Sequence, residues 1–140
     1  MTKFSDRIKK SAKTSPIILA NDYDPKISNI ESKTLRNIKL LNNYLCGIKI
    51  NFHLLLQLNK KQISNINKTA HDSGLQCIAD IKLNDIGNTN LITAENLWNM
   101  GFDAIIVNPI MGKKSLKNLV EFSHKKNKGV ISLCHMSAPE

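Results

Sequence analysis

Five short apolar runs, each separated from the next by a helical segment, constrain this chain more than any other feature. Ile17 to Asp22 is apolar and ends in polar residues, as a buried parallel strand does. Ile48 to Phe52 alternates apolar and polar residues with the period of a strand. Leu75 to Leu83, Ala104 to Asn108 and Gly129 to Met136 supply three more candidates. Between them, Ile30 to Leu45 places Leu35, Ile38, Leu41 and Leu45 near helical spacing. Leu54 to Leu58, Lys61 to Ser73, Asn90 to Met100 and Lys113 to Lys126 also read as helical. Gly47, Gly74 and Gly101 are read as helix stops. A further amphipathic helix, Phe4 to Lys13, precedes the first strand and ends at Ser15-Pro16. Strands alternating with helices in this way imply a parallel sheet with helical crossovers. A doubly wound sheet and an incomplete (β/α)8 barrel both fit. With 140 residues and no internal repeat or linker, one domain is expected.

Charge narrows the function classes. The net charge of +9 comes almost wholly from lysine, and only Arg7 and Arg36 are arginines. No basic stretch is interleaved with the aromatic residues that RNA readers use for stacking, so no nucleic-acid partner is expected. A small anionic substrate would still gain from the positive field. No run approaches the roughly 20 apolar residues of a membrane span. The first residues lack the apolar segment of a secretory signal, so a cytoplasmic protein is expected. Cys46, Cys77 and Cys134 are far apart and odd in number, which suits free thiols. His53, His71, His124 and His135 show no ligand spacing, and no metal is expected. Neither G-x-G-x-x-G nor a P-loop is present.

Charges in places that suit a core are the most informative residues. Asp22 ends the first strand, Lys49 lies within the second, Asp80 and Lys82 lie within the third, and Asp85 follows it. Side chains alternate along a strand, so Asp80 and Lys82 are expected on one face with Ile78, and Ala79 and Ile81 on the other. In a barrel the helix-facing side is a poor place for a charge, whereas the interior near the C-terminal mouth is where catalytic groups sit. Buried charges cost several kcal/mol each unless paired. The alternating signs of Asp80, Lys82 and Asp85, with Asp22 and Lys49 alongside, provide the pairing. Spacing alone leaves a rim salt bridge and several reactions open.

The segment Asp80-Ile81-Lys82-Leu83-Asn84-Asp85-Ile86-Gly87-Asn88-Thr89 resembles the Asp-x-Lys-x-x-Asp-Ile-x-x-Thr segment of orotidine 5′-phosphate decarboxylases. Ile18 to Asp22 resembles the family's first strand, and Gly47 to Ile50 its second, with the active-site lysine. Gly101 to Val107 looks like its fourth, and Met136 to Pro139 like the end of its fifth. Gly87 departs from a common proline. Sugar-phosphate decarboxylases and aldolases of the same superfamily share Asp-x-Lys-x-x-Asp. They typically carry a metal-ligating glutamate where this chain has Lys49, and they remain the alternative, together with a non-catalytic barrel fragment.

The resemblance implies an incomplete TIM (β/α)8 barrel of about five parallel strands. Strands six to eight, with the phosphate-gripping glycine and arginine, are expected outside these residues, as in a truncated product or a partial sequence. It also implies cofactor-independent conversion of orotidine 5′-phosphate to UMP and carbon dioxide. Lys82 would protonate C6, Asp80 would sit beside the departing carboxylate, and Lys49 and Asp22 would complete the network and hold ribose hydroxyls. Ser137 would bind the pyrimidine edge. Asp85, Ile86 and Thr89 would act across the interface of a homodimer. Without the phosphate grip, weak or absent activity is expected of the 140 residues alone.

Overall fold

A computed structural model of the chain describes residues 2–24 and 26–136. Helix α1 (Phe4–Ala12) leads into strand β1 (Ile18–Asn21). Helix α2 (Ile30–Leu41) and a 3-10 turn (Asn42–Tyr44) return the chain to β2 (Gly47–Asn51). A single helical turn, α3 (Phe52–Leu55), and helix α4 (Lys60–Asp72) precede β3 (Gln76–Leu83). Helix α5 (Gly87–Asn99) leads to β4 (Ala104–Val107). A 3-10 turn (Pro109–Met111) and α6 (Lys113–Lys125) lead to β5 (Gly129–Ser132). The five strands form one parallel sheet in the order β1-β2-β3-β4-β5. Sequential neighbours joined by helical crossovers are the unit from which a (β/α)8 barrel is built, and a doubly wound order is excluded.

The two faces of the sheet divide the apolar and the charged residues. Ile48, Ile50, Cys77, Ala79, Leu83, Ile105 and Val107 join Ile38 of α2, Ile63 and Ile66 of α4, Trp98 of α5 and Leu119 of α6 in one core. Residues of opposite parity form two rows across the other face. Ala20, Lys49, Ile78, Ala104 and Gly129 are successive partners in the first. Asn51, Asp80, Ile106 and Ile131 form the second, one step nearer the strands' C-terminal ends. The alternation read from the sequence therefore puts Lys49 and Asp80 opposite the helices, where charge is tolerated.

Several sequence expectations shift. Gly74 and Gly101 stop their helices with positive φ, at 78° and 97°. Gly47 does not act as a stop. It opens β2, and a Cβ there would lie 2.7 Å from the Gln76 carbonyl oxygen, so glycine permits close strand approach. The turn expected at Leu54 to Leu58 forms earlier, at Phe52–Leu55. Strand β5 stops at Ser132 rather than Met136, with its last residue already exposed.

Helix α1 lies against the N-terminal ends of β3 to β5. Its Phe4 ring packs on Gly129, where any Cβ would collide with it. Its Arg7 guanidinium donates to Gln76 Oε1 at 2.9 Å, to the Asn127 carbonyl at 3.1 Å and to Asp103 Oδ1 at 3.0 Å. The buried Asp103 also accepts from the Cys77 amide at 2.9 Å and from His71 Nε2 at 2.7 Å. Lys128 Nζ stands 3.9 Å away. Burial pushes the Asp103 pKa up, but the His71 and Cys77 bonds and the nearby positive charges outweigh it and hold the carboxyl below its ordinary value. Burial likewise pulls the Lys128 ammonium down, against Asp103.

A depressed carboxylate stabilises the fold fully above its unfolded pKa of about 3.9 and loses that contribution as pH falls through the lower folded value. Urea midpoints measured from pH 6 to pH 2 should therefore fall with acid, and Asp103→Asn should flatten part of that slope. An unchanged slope in the variant would show that Asp103 is not part of the acid response.

Candidate active site

Asp80 anchors the charged cluster. It lies on β3, is 5% exposed, and faces away from the helices. Its Oδ2 accepts from Lys49 Nζ of β2 at 2.7 Å, and its Oδ1 accepts from Lys82 Nζ at 2.9 Å. Each carboxylate oxygen thus meets one ammonium, in charge-assisted bonds of the stronger kind. Burial raises the Asp80 pKa, and the two lysine bonds with their charges overcome it, so the carboxyl titrates below its ordinary value.

Lys82 reaches this position through a break in the strand. The register shifts between Asp80 and Leu83, and Lys82 has φ of 47°. Positive φ is costly for a residue with a Cβ, and such outliers are found where function requires a particular aim. The bulge re-aims Lys82 while Leu83 returns to the helix-facing core beside Val107. Simple alternation predicts a regular strand here and does not foresee this turn of the backbone.

The cluster extends to β1 through a residue that the charge pattern alone passes over. Asn51 Oδ1 accepts from Lys49 Nζ at 2.7 Å, and Asn51 Nδ2 donates to Asp22 Oδ1. Asp22, Asn51, Lys49, Asp80 and Lys82 are therefore one connected chain. The available signal is parity: Asn51 lies two residues after Lys49 on the same face and directly opposite Asp80 in the pairing. Asp22 is positioned by the residues beside it. Tyr23 donates to Asn21 Oδ1 at 2.7 Å and accepts from Thr34 at 3.2 Å and Asn37 at 3.0 Å of α2, fixing the end of β1.

Asp85 is not in this chain, contrary to the five-member network expected from spacing. It lies beyond β3 and is exposed, and its Oδ1 accepts from the Ile86 amide at 2.7 Å. Ile86 and Thr89 are exposed beside it, Ile86 by 77%. Asn90 holds this loop by donating to the Asp85 carbonyl. Ser137 lies outside the described residues.

Among the described residues, His71, Cys77 and Asp103 approach closely enough to be considered as metal ligands, a proximity that sequence spacing hides. The surrounding chemistry disfavours a cation. Arg7 and Lys128 already face Asp103, and burial keeps the Cys77 thiol well above its ordinary pKa, hence protonated. The cluster is a latch for α1.

The family model for "Orotidine 5'-phosphate decarboxylase / HUMPS family" matches residues 15–140. The orotidine 5′-phosphate decarboxylase of Pyrococcus abyssi is 33% identical over 124 residues, covering 88% of this chain and 53% of that protein. Its counterpart in Thermococcus kodakarensis is 32% identical over 127 residues, covering 90% and 54%. The crystal structure of the Methanocaldococcus jannaschii orotidine 5′-monophosphate decarboxylase superposes with a TM-score of 0.76 at 28% identity, over 90% of this chain and 57% of that one. The Leishmania donovani OMP decarboxylase, at 22% identity, shares the fold with a TM-score of 0.85. The chain spans about half the length of the curated relatives it matches.

Removing Asp80 should leave two ammonium groups facing each other without their shared partner. Asp80→Ala is expected to cost roughly 1–3 kcal/mol, because the lysines it leaves behind reach solvent, and adding Lys49→Met should recover part of that loss. Urea unfolding of the single and double variants checks this. A double variant less stable than Asp80→Ala would contradict the pairing.

Proposed function

The chain belongs to the orotidine 5′-phosphate decarboxylase / HUMPS family, and on that premise we propose that its protein converts orotidine 5′-phosphate to UMP and carbon dioxide in pyrimidine biosynthesis. The observation that carries this reading is the Lys49–Asp80–Lys82 triad on the face away from the helices. The reaction breaks the bond between C6 and the carboxylate and leaves the electron pair on C6. Lys82 is the group that stabilises this developing charge and passes one of its protons to C6. Asp80 holds the ammonium at 2.9 Å and is proposed to sit beside the departing carboxylate. Lys49 and Asp22 are proposed to hold the ribose hydroxyls, and Ser137 to meet the pyrimidine edge. The whole exchange is a heterolysis and a proton transfer, which requires no redox partner.

Lys49 also separates this reading from a sugar-phosphate lyase. Two ammonium groups already occupy both oxygens of Asp80, so a divalent cation would have to displace one of them. Asp85, Ile86 and Thr89 are assigned to a neighbouring subunit's site in a homodimer. Their exposure, 77% for the apolar Ile86, supports a surface that a partner would cover. A cytoplasmic enzyme is proposed on the three free cysteines, which suit a reducing compartment. No helix among the described residues is long and apolar enough to cross a membrane.

Release of labelled carbon dioxide from carboxyl-labelled orotidine 5′-phosphate tests the reaction. The 140 residues alone should release label weakly or not at all, far below a full-length relative assayed alongside. Lys82→Ala should lower this release by roughly 10²–10⁴-fold, down to background where the starting rate is small. Turnover of a ketose phosphate that depends on magnesium, with no release from orotidine 5′-phosphate, would replace this reading by the lyase one.

A further inference from the structure

We propose that Asn51 is a positioning residue of this site, whose amide holds the Lys49 ammonium on Asp80 and ties both to Asp22. Its place in turnover rests on the decarboxylase reading; its geometry does not. The position lies outside the Asp-x-Lys-x-x-Asp segment and two residues past the second-strand lysine. It ends β2, in the row of side chains nearest the C-terminal ends of the strands.

The neighbours of Asn51 dictate its orientation. Oδ1 accepts from the Lys49 ammonium at 2.7 Å while Nδ2 donates to the Asp22 carboxylate. Turning the amide over would set its NH2 against the ammonium and its carbonyl against the carboxylate. Both contacts would then be repulsive, so the two charges select one rotamer. Lys49 in turn gains a second anchor. A lysine side chain carries much rotamer freedom, and one bond to Asp80 would leave the ammonium free to swing toward solvent. With bonds to both Asp80 and Asn51 it is held between two strands.

Neutrality is part of the design. An aspartate at position 51 could still accept from Lys49 but could not donate to Asp22, and it would face Asp22 as a like charge. It would also compete with Asp80 for the lysine. A neutral amide links one acidic group to one basic group without altering the balance of the cluster. Among the described residues, Asn51 supplies the side-chain hydrogen bond between Asp22 and the rest of the network. The residue acts through Lys49 and Asp22, not on the reacting atoms.

Nuclear magnetic resonance of the isotopically labelled 140-residue chain tests this. The readouts are the exchange of the Lys49 ammonium protons with water and the Asp22 carboxyl carbon signal. Asn51→Ala should speed the exchange by about tenfold, the factor expected for one lost charge-assisted hydrogen bond. Asn51→Gln should restore most of the protection. Asn51→Asp should keep the exchange slow but shift the Asp22 signal. Backbone amide spectra report whether each variant is folded. A folded Asn51→Ala chain with unchanged Lys49 exchange would overturn the proposal. If Asn51→Ala does not fold, a folded Asn51→Gln chain with unprotected Lys49 would overturn it equally. Carbon dioxide release is measured on the same unsubstituted chain. Magnesium-dependent turnover of a ketose phosphate without that release counts against the decarboxylase reading, while the Lys49 exchange decides the positioning role.

Discussion

The Asp80 carboxylate between two ammonium groups is the contact on which the rest of the structure depends. It requires β2 and β3 to run parallel and in register, so that Lys49 reaches Asp80 from the neighbouring strand. It requires the opposite face of the sheet to pack on the helices, so that Lys49, Asn51 and Asp80 can stand on this one. It also requires the break in β3 that brings Lys82 back toward a residue two positions earlier. The apolar core supplies the stability that lets the strand hold an unfavourable φ. This is the usual division between a scaffold and a site built at some cost within it.

A second buried carboxylate, Asp103, does different work at the other end of the sheet. Its partners Arg7, His71 and the Cys77 amide come from α1, α4 and β3, and they fasten the first helix across the strand starts. Both carboxyls are buried and both are held below their ordinary pKa by cationic neighbours. A perturbed carboxylate is therefore not by itself a sign of chemistry here. What separates the two is position. Asp80 lies among half-exposed lysines toward the strands' C-terminal ends, where barrels place their chemistry, and Asp103 lies under a helix at the opposite end.

Much of this was legible in the sequence, and the failures have physical causes. The order of strands and helices follows from hydrophobic periodicity and glycine stops, because each crossover must bury one apolar stripe against the sheet. The ends of elements were less legible: β5 is four residues shorter than its apolar pattern, since Ser132 and residues 134–136 are exposed and Leu133 is only half-buried. Asp22, Lys49, Asp80 and Lys82 stood out as charges inside apolar runs. Asn51 did not, because an uncharged polar residue at a strand end carries no such contrast. The bulge at Lys82 was hidden because no glycine or proline marks it. The Asp103 latch was hidden because its members are far apart in sequence and meet only through the parallel pairing. Asp85, by contrast, has the right spacing for the cluster and yet lies outside it, since the chain has already left the strand.

Asp80 remains ionised inside the protein because two lysines hold it so. The titration of its carboxyl carbon, followed by nuclear magnetic resonance in the folded chain, tests that claim most directly. The midpoint should lie below the ordinary aspartate value of about 3.9, and Lys49→Met and Lys82→Met should each raise it. A midpoint at or above the ordinary value, unmoved by either substitution, would mean that burial outweighs both ammonium groups and that the cluster is not the charged network described.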